Sequence, residues 1–301
     1  MQTDAAFYYA AKRKMLQKFS KKFRFFPQPE WIAISRVQCY NILKWKGRED
    51  TMNKTNRAAV ILALLAGICI GGAAAAVSHA MPGKASPTVQ ALYQQAIEDA
   101  VVAGEEEIYP LVEITEDSDL VTWNEKKDKV LMMTFHDTPD SYPAGEGVTV
   151  QGYSVWVFSG KEFLSRYPAL GKAEDWNLRM NQLIGLPADS GMTHVSAMWV
   201  SPEDLIRPAY VTDVTGQMRN SFSEDTPEDP DYIAWFNANA VYSYCENTYP
   251  WTRLGYTYDW AENGEEYGLS EFLLTDGAEV TVEFTRTLEE FLRWAGEETK
   301  S

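Results

Sequence analysis

Residues 52–80 divide the chain into parts that cannot share one fold. Met52-Asn53-Lys54-Thr55-Asn56-Arg57 is a short basic region, Ala58 to Ile70 is apolar, and Gly71 to Ala80 is a small-residue stretch ending in Ser78-His79-Ala80. That order is a secretory signal peptide with an A-x-A-like peptidase site. The expected product is cleaved after Ala80, begins at Met81, and is secreted or periplasmic. Ala58 to Val77 is also long enough to span a bilayer, so contact with a membrane is expected only through an uncleaved signal. A lipoprotein signal is excluded, because the bulky Ile68 directly precedes Cys69 where a small residue is required.

A signal that starts at Met52 leaves residues 1–51 on its wrong side. This leader carries 11 Lys/Arg against 4 Asp/Glu, with Pro27 and Pro29 interrupting it and no sustained apolar period. It reads either as a basic cytoplasmic tail or as an upstream extension created by an early start assignment. Neither reading contributes to a folded core.

The fold must therefore come from residues 81–301: a linker and N-terminal helix over 81–106, then a globular domain over 107–301. This part holds 14 Lys/Arg against 39 Asp/Glu, a net of −25. Such a surface repels phosphate backbones, so nucleic acid is not an expected partner. Lys126-Lys127-Asp128-Lys129 is its densest basic run, as expected of a solvated turn. Cys245 is the one cysteine beyond the cleavage point. The processed chain should therefore hold no internal disulfide and rely on packing, with Cys245 as a small buried hydrophobe.

Periodicity then separates helices from strands. Ser86-Pro87 opens a helix whose apolar positions are Val89, Leu92, Ala96, Ile97 and Ala100, and Gly104 stops it. Strands are expected at 109–114, 119–123, 130–135, 148–158, 194–200, 270–274 and 279–284. Helices are expected at 161–167, 173–184, 232–246 and 288–295, with an acidic turn-rich loop over 220–231. Strand runs and helix runs mix without regular β-α-β alternation. This predicts an α+β class: a single mixed domain with an antiparallel-rich sheet and several helices.

Tyr232 to Trp260 is the densest feature, with 10 aromatic residues in 29. Flat rings beside carboxylates suit sugar recognition, which nominates Tyr249, Trp251, Arg253, Tyr256, Tyr258 and Trp260 as ligand-binding residues. The competing reading is that these rings fill the core. The segments 177–187, 199–208, 249–260 (Tyr-Pro-Trp-Thr-Arg-Leu-Gly-Tyr-Thr-Tyr-Asp-Trp) and 267–272 (Tyr-Gly-Leu-Ser-Glu-Phe) resemble those of a group of signal-peptide-bearing bacterial proteins of uncharacterised activity. The resemblance covers roughly 121–291 and implies no activity. In that group a Cys follows the Arg-Pro and another comes several residues later. Ala209 and Gly216 stand there in this chain.

No phosphate loop, metal-type His/Cys spacing or nucleophile elbow is present, so no cofactor and no metal are expected. Arg253, Asp259, Glu271 and His136 are the candidate catalytic residues: the two acids flank the aromatic string beside Arg253, and His136 precedes Asp137 at a strand end. Arg253 is the only basic residue between Arg219 and Arg286. It should pair with Asp259 or Glu271, or stay available for an anionic group. Two functions stay open: a non-enzymatic domain that binds a ligand or envelope protein through the aromatic region, or a secreted hydrolase or toxin-like enzyme with an Arg/Asp/Glu site. Convergence of the four candidate residues in a cleft would favour the enzyme.

Overall fold

The computed structural model describes residues 87–246, 248–262 and 265–300. The expected leader, signal peptide and cleavage point lie outside the described residues. Residues 88–300 belong to one compact unit, and its class is α+β. Its strands are β1 (Val130–His136), β2 (Gly147–Thr149), β3 (Val155–Ser159), β4 (His194–Val200), β5 (Leu205–Ile206), β6 (Tyr256–Tyr258), β7 (Tyr267–Leu274) and β8 (Glu279–Thr287). They form an antiparallel sheet in the order β2-β8-β4-β1-β3-β7-β5, with β6 hung on β7.

Alternation along the central strands builds two cores. Val130 and Met132 of β1, Val155 and Val157 of β3, Met198 of β4 and Phe272 of β7 face one way, under Val112, Ile114, Val121 and Tyr142. Met133 and Phe135, Phe158, Val195 and Ala197 face the other way, under helices. A bulge where β8 meets β4 keeps both faces apolar: Val280 and Val282 join the first core, whereas Phe284 packs against the second.

Five helices are described. α1 is Val89–Ala100, α2 Gly160–Arg166, α3 Trp176–Leu183, α4 Pro230–Cys245 and α5 Leu288–Glu298. Each begins at a side chain that satisfies an otherwise orphan N–H. The caps are Thr88, Ser159, Asp175, Asp229 and Thr287, the last in a reciprocal capping box with Glu290. Phe163 of α2, Met180 and Leu183 of α3, and Phe291 and Ala295 of α5 cover the second face. α4 lays Tyr232, Phe236 and Ala240 over Ile206, Leu273 and Trp251. α1 packs Tyr93, Ala96 and Ile97 against Trp260.

Four expectations need correction. Residues 119–123 form no strand; of these only Trp123 pairs, in an isolated bridge to Val130. Residues 109–114 form no strand: Val112 N–H donates to Ser270 Oγ at 2.8 Å and Ile114 N–H to Val214 O at 3.1 Å. Residues 148–158 are two strands in different parts of the sheet, β2 at an edge and β3 inside. Gly152, at φ 84°, donates its N–H to Asp276 in the turn between them. Cys245 is not a lone thiol but disulfide-bonded. No helix among the described residues is long and apolar enough to cross a membrane.

Candidate functional site

The 249–260 string crosses three packing clusters rather than lining one cleft. Trp251 is buried against Phe236 at 4.8 Å between ring centres, with Trp235 and Trp156 edge-on at 6.0 and 6.3 Å. Tyr256 is fully buried, and Trp260 is buried against Tyr93 at 5.2 Å. Tyr249 and Tyr258 are half-buried. Thr252 Oγ1 ties the bend together, donating to Tyr256 O at 2.6 Å and accepting from Leu254 N–H at 3.2 Å. The bend places two residues in the left-handed region, Arg253 at φ 62° and Gly255 at φ 82°. A Cβ on Gly255 would also lie 2.9 Å from Leu111, so glycine is required there on two grounds.

Arg253 points inward and clasps the end of α1. Nη2 donates to Ala100 O at 3.2 Å and Val101 O at 2.8 Å, while Nη1 donates to Tyr210 Oη at 2.9 Å. The guanidinium lies 5.1 Å from the Tyr244 ring centre and 5.7 Å from that of Tyr210. A cation at the carbonyl end of a helix satisfies orphan acceptors and opposes the helix dipole. The expected pairing with Asp259 or Glu271 does not form.

Those two acids have other partners. Asp259 makes a bidentate ion pair with Arg179, at 2.9 and 2.6 Å, and also accepts from Ala261 N–H at 3.2 Å. Glu271 is buried on the helix-covered face of β7, opposite Phe158, and accepts from Trp251 Nε1 at 3.2 Å. Burial drives its carboxyl well above the ordinary range, and the Trp251 hydrogen bond offsets this only in part.

His136 ends β1 on the face shared by Val130 and Met132, whereas Glu271 shares its face with Leu269 and Leu273. The two side chains thus leave opposite faces of the sheet. His136 Nε2 meets Ser196 Oγ at 2.7 Å, the separation of a nucleophile and its base. The other ring nitrogen, Nδ1, accepts from Thr138 N–H at 3.1 Å. A neutral imidazole that accepts at Nδ1 carries its proton on Nε2, so His136 donates to Ser196 and cannot deprotonate it. Burial and His194 hold the His136 pKa down to about 4, against a small opposing effect of Asp137.

Sequence reasoning missed two polar groupings, because each joins residues far apart in the chain. The first is a carboxylate cluster. Asp99 at the end of α1, Glu107 and Glu266 place one oxygen each within 4.8 Å of the others. Tyr258 Oη donates to Asp99 at 2.9 Å and Tyr256 Oη to Glu266 at 3.1 Å. Three such oxygens are the donor set that could take a hard cation among the described residues. The second is buried. Glu162 of α2 accepts from Tyr267 Oη at 2.7 Å and Ser270 N–H at 2.9 Å, and its carboxyl is raised by burial. Near it, Arg207 is fully buried. It donates to Asp213 O at 3.2 Å, Val112 O at 2.5 Å and Val214 O at 2.9 Å, and burial lowers its pKa to about 10. A surface cleft of about 390 Å³ is lined by Asn124, Lys126, Lys129, Trp199 and Thr281 among others, none of them nominated by the sequence.

Comparison with known proteins finds no matching protein family, curated protein or solved structure.

Proposed function

We propose that this chain is an exported, secreted or periplasmic, binding domain without catalytic chemistry of its own. One observation carries the reading: the four residues that could have formed an active site are each committed elsewhere. Arg253 caps α1, Asp259 pairs with Arg179, Glu271 is buried under Trp251, and His136 donates to Ser196 from the opposite face. The hydrolase or toxin-like reading needs these groups together in a cleft, and no second observation favours it.

The binding surface moves away from the 249–260 string, since Trp251, Tyr256 and Trp260 are spent on the core. Trp156 is 40% exposed on β3 and stands edge-on to Trp251, itself beside Trp235. An exposed indole backed by the buried Trp251 ring is a rigid stacking platform. The net of −25 over residues 81–301 disfavours anions, so the ligand class is a neutral saccharide or another flat, uncharged surface.

Chitohexaose and cellohexaose titrated against tryptophan fluorescence test the reading. A saturable change should be lost in Trp156→Ala and kept in Trp199→Ala. Release of shorter sugars would instead establish the enzyme. Export is tested separately by N-terminal sequencing of protein from its native compartment. The first residue should be Met81, and recovery of chains starting at Met1 would refute processing.

A further inference from the structure

We propose that His136 is an acid-operated latch: while neutral it pins residues 137–146 to the sheet, and its protonation frees that segment together with the edge strand β2. The hydrogen bonds run in one direction. Thr138 N–H can only donate, so Nδ1 accepts and Nε2–H donates to Ser196 Oγ. Ser196 Oγ in turn donates a hydrogen bond to Thr285 Oγ1 at 2.6 Å, and Thr285 Oγ1 donates to Tyr142 O at 2.5 Å. The chain therefore links β1, β4 and β8 to Tyr142, whose ring is buried 4.7 Å from the imidazole.

An imidazolium has two donors and no acceptor. Protonation would set Nδ1–H against Thr138 N–H across 3.1 Å, and the ring must turn, surrendering Ser196 as well. The groups facing it do little to hold the charged form. His194, its direct partner on β4, lies 6.4 Å away ring to ring and works against a charge on His136. Tyr142 is neutral, Ser196 and Thr285 do not titrate, and Asp137 is the one nearby acid that favours the cation. Arg286 of β8 leaves on the other face, stacked 4.0 Å from Phe284.

The segment so held leads straight into the sheet edge. Gly145 N–H donates to Val282 O at 2.8 Å and Val282 N–H to Glu146 O at 2.9 Å, after which β2 pairs with β8 for three residues. A three-residue edge strand has few hydrogen bonds to keep it once its approach is loose. The sign follows from linkage. A histidine whose folded pKa lies below its unfolded value stabilises fully above about 6.5 and loses that contribution as pH falls toward about 4.

Hydrogen exchange of the full chain at pH 7 and pH 4, corrected for intrinsic rates, tests the latch. Protection over 138–149 should fall about tenfold or more at pH 4 while β1, β4 and β7 keep theirs. His136→Asn retains an acceptor for Thr138, and His136→Gln retains a donor for Ser196; both should abolish the pH dependence. Unchanged protection over 138–149 would overturn the proposal, as would an equal fall in every strand or the same fall in both variants. Nitrogen NMR of the wild-type imidazole decides independently of the variants: the Nε2–H tautomer is expected at pH 7, and an Nδ1–H tautomer contradicts the latch.

Discussion

Glu271 is a carboxyl with one neutral donor, Trp251 Nε1, and no cation among the partners described for it. Its folded pKa lies above the unfolded value, so its contribution is fully present below about 4.5 and is lost as pH rises through the folded pKa. Glu271→Gln keeps an acceptor for the indole and removes the ionisation. The melting temperatures of variant and wild type should coincide near pH 4 and diverge by several degrees at pH 8, with the variant higher. A variant less stable at pH 8 would mean that the charged carboxylate has a favourable partner. The sequence could not reveal this state. Glu271 follows Ser270 in a run that reads as an ordinary strand, and its partner Trp251 lies 20 residues away, where no local pattern connects the two.

At the scale of elements, legibility tracked how far each segment's hydrogen bonds are local. The helices at α4 and α5 and the strands β1, β4 and β8 follow from periodicity and caps, because their patterns are satisfied within or beside the segment. The 109–114 stretch alternates like a strand, yet its N–H groups find Ser270 Oγ and a loop carbonyl, partners 158 and 100 residues away. The 148–158 stretch looked continuous because Gly152 alone marks the break. For α1, sequence fixed the apolar face but not its anchorage. That comes from Trp260, from Tyr258 on Asp99, and from a guanidinium delivered by a left-handed bend. The density of the aromatic string is legible in the sequence but its role is not, since rings that stack on a ligand and rings that fill a core share one pattern.

Across the whole molecule, the 249–260 segment contributes side chains to three separate packing clusters. Trp251 serves the α4 cluster, Leu254 and Tyr256 the cluster with Ala209 and Met218, and Trp260 the α1 cluster. Arg253 sits at the centre, holding the last carbonyls of α1 between Tyr210 and Tyr244. If the residues nominated for chemistry are instead the fastenings of the fold, removing this guanidinium must register in stability. Urea unfolding of Arg253→Ala beside wild type measures this directly. A loss of about 2–4 kcal/mol is expected from the abandoned carbonyls and the cavity, part of it regained in Arg253→Gly because glycine accepts the positive φ. An Arg253→Ala variant as stable as wild type would contradict the account and return Arg253 to the list of groups available for a ligand.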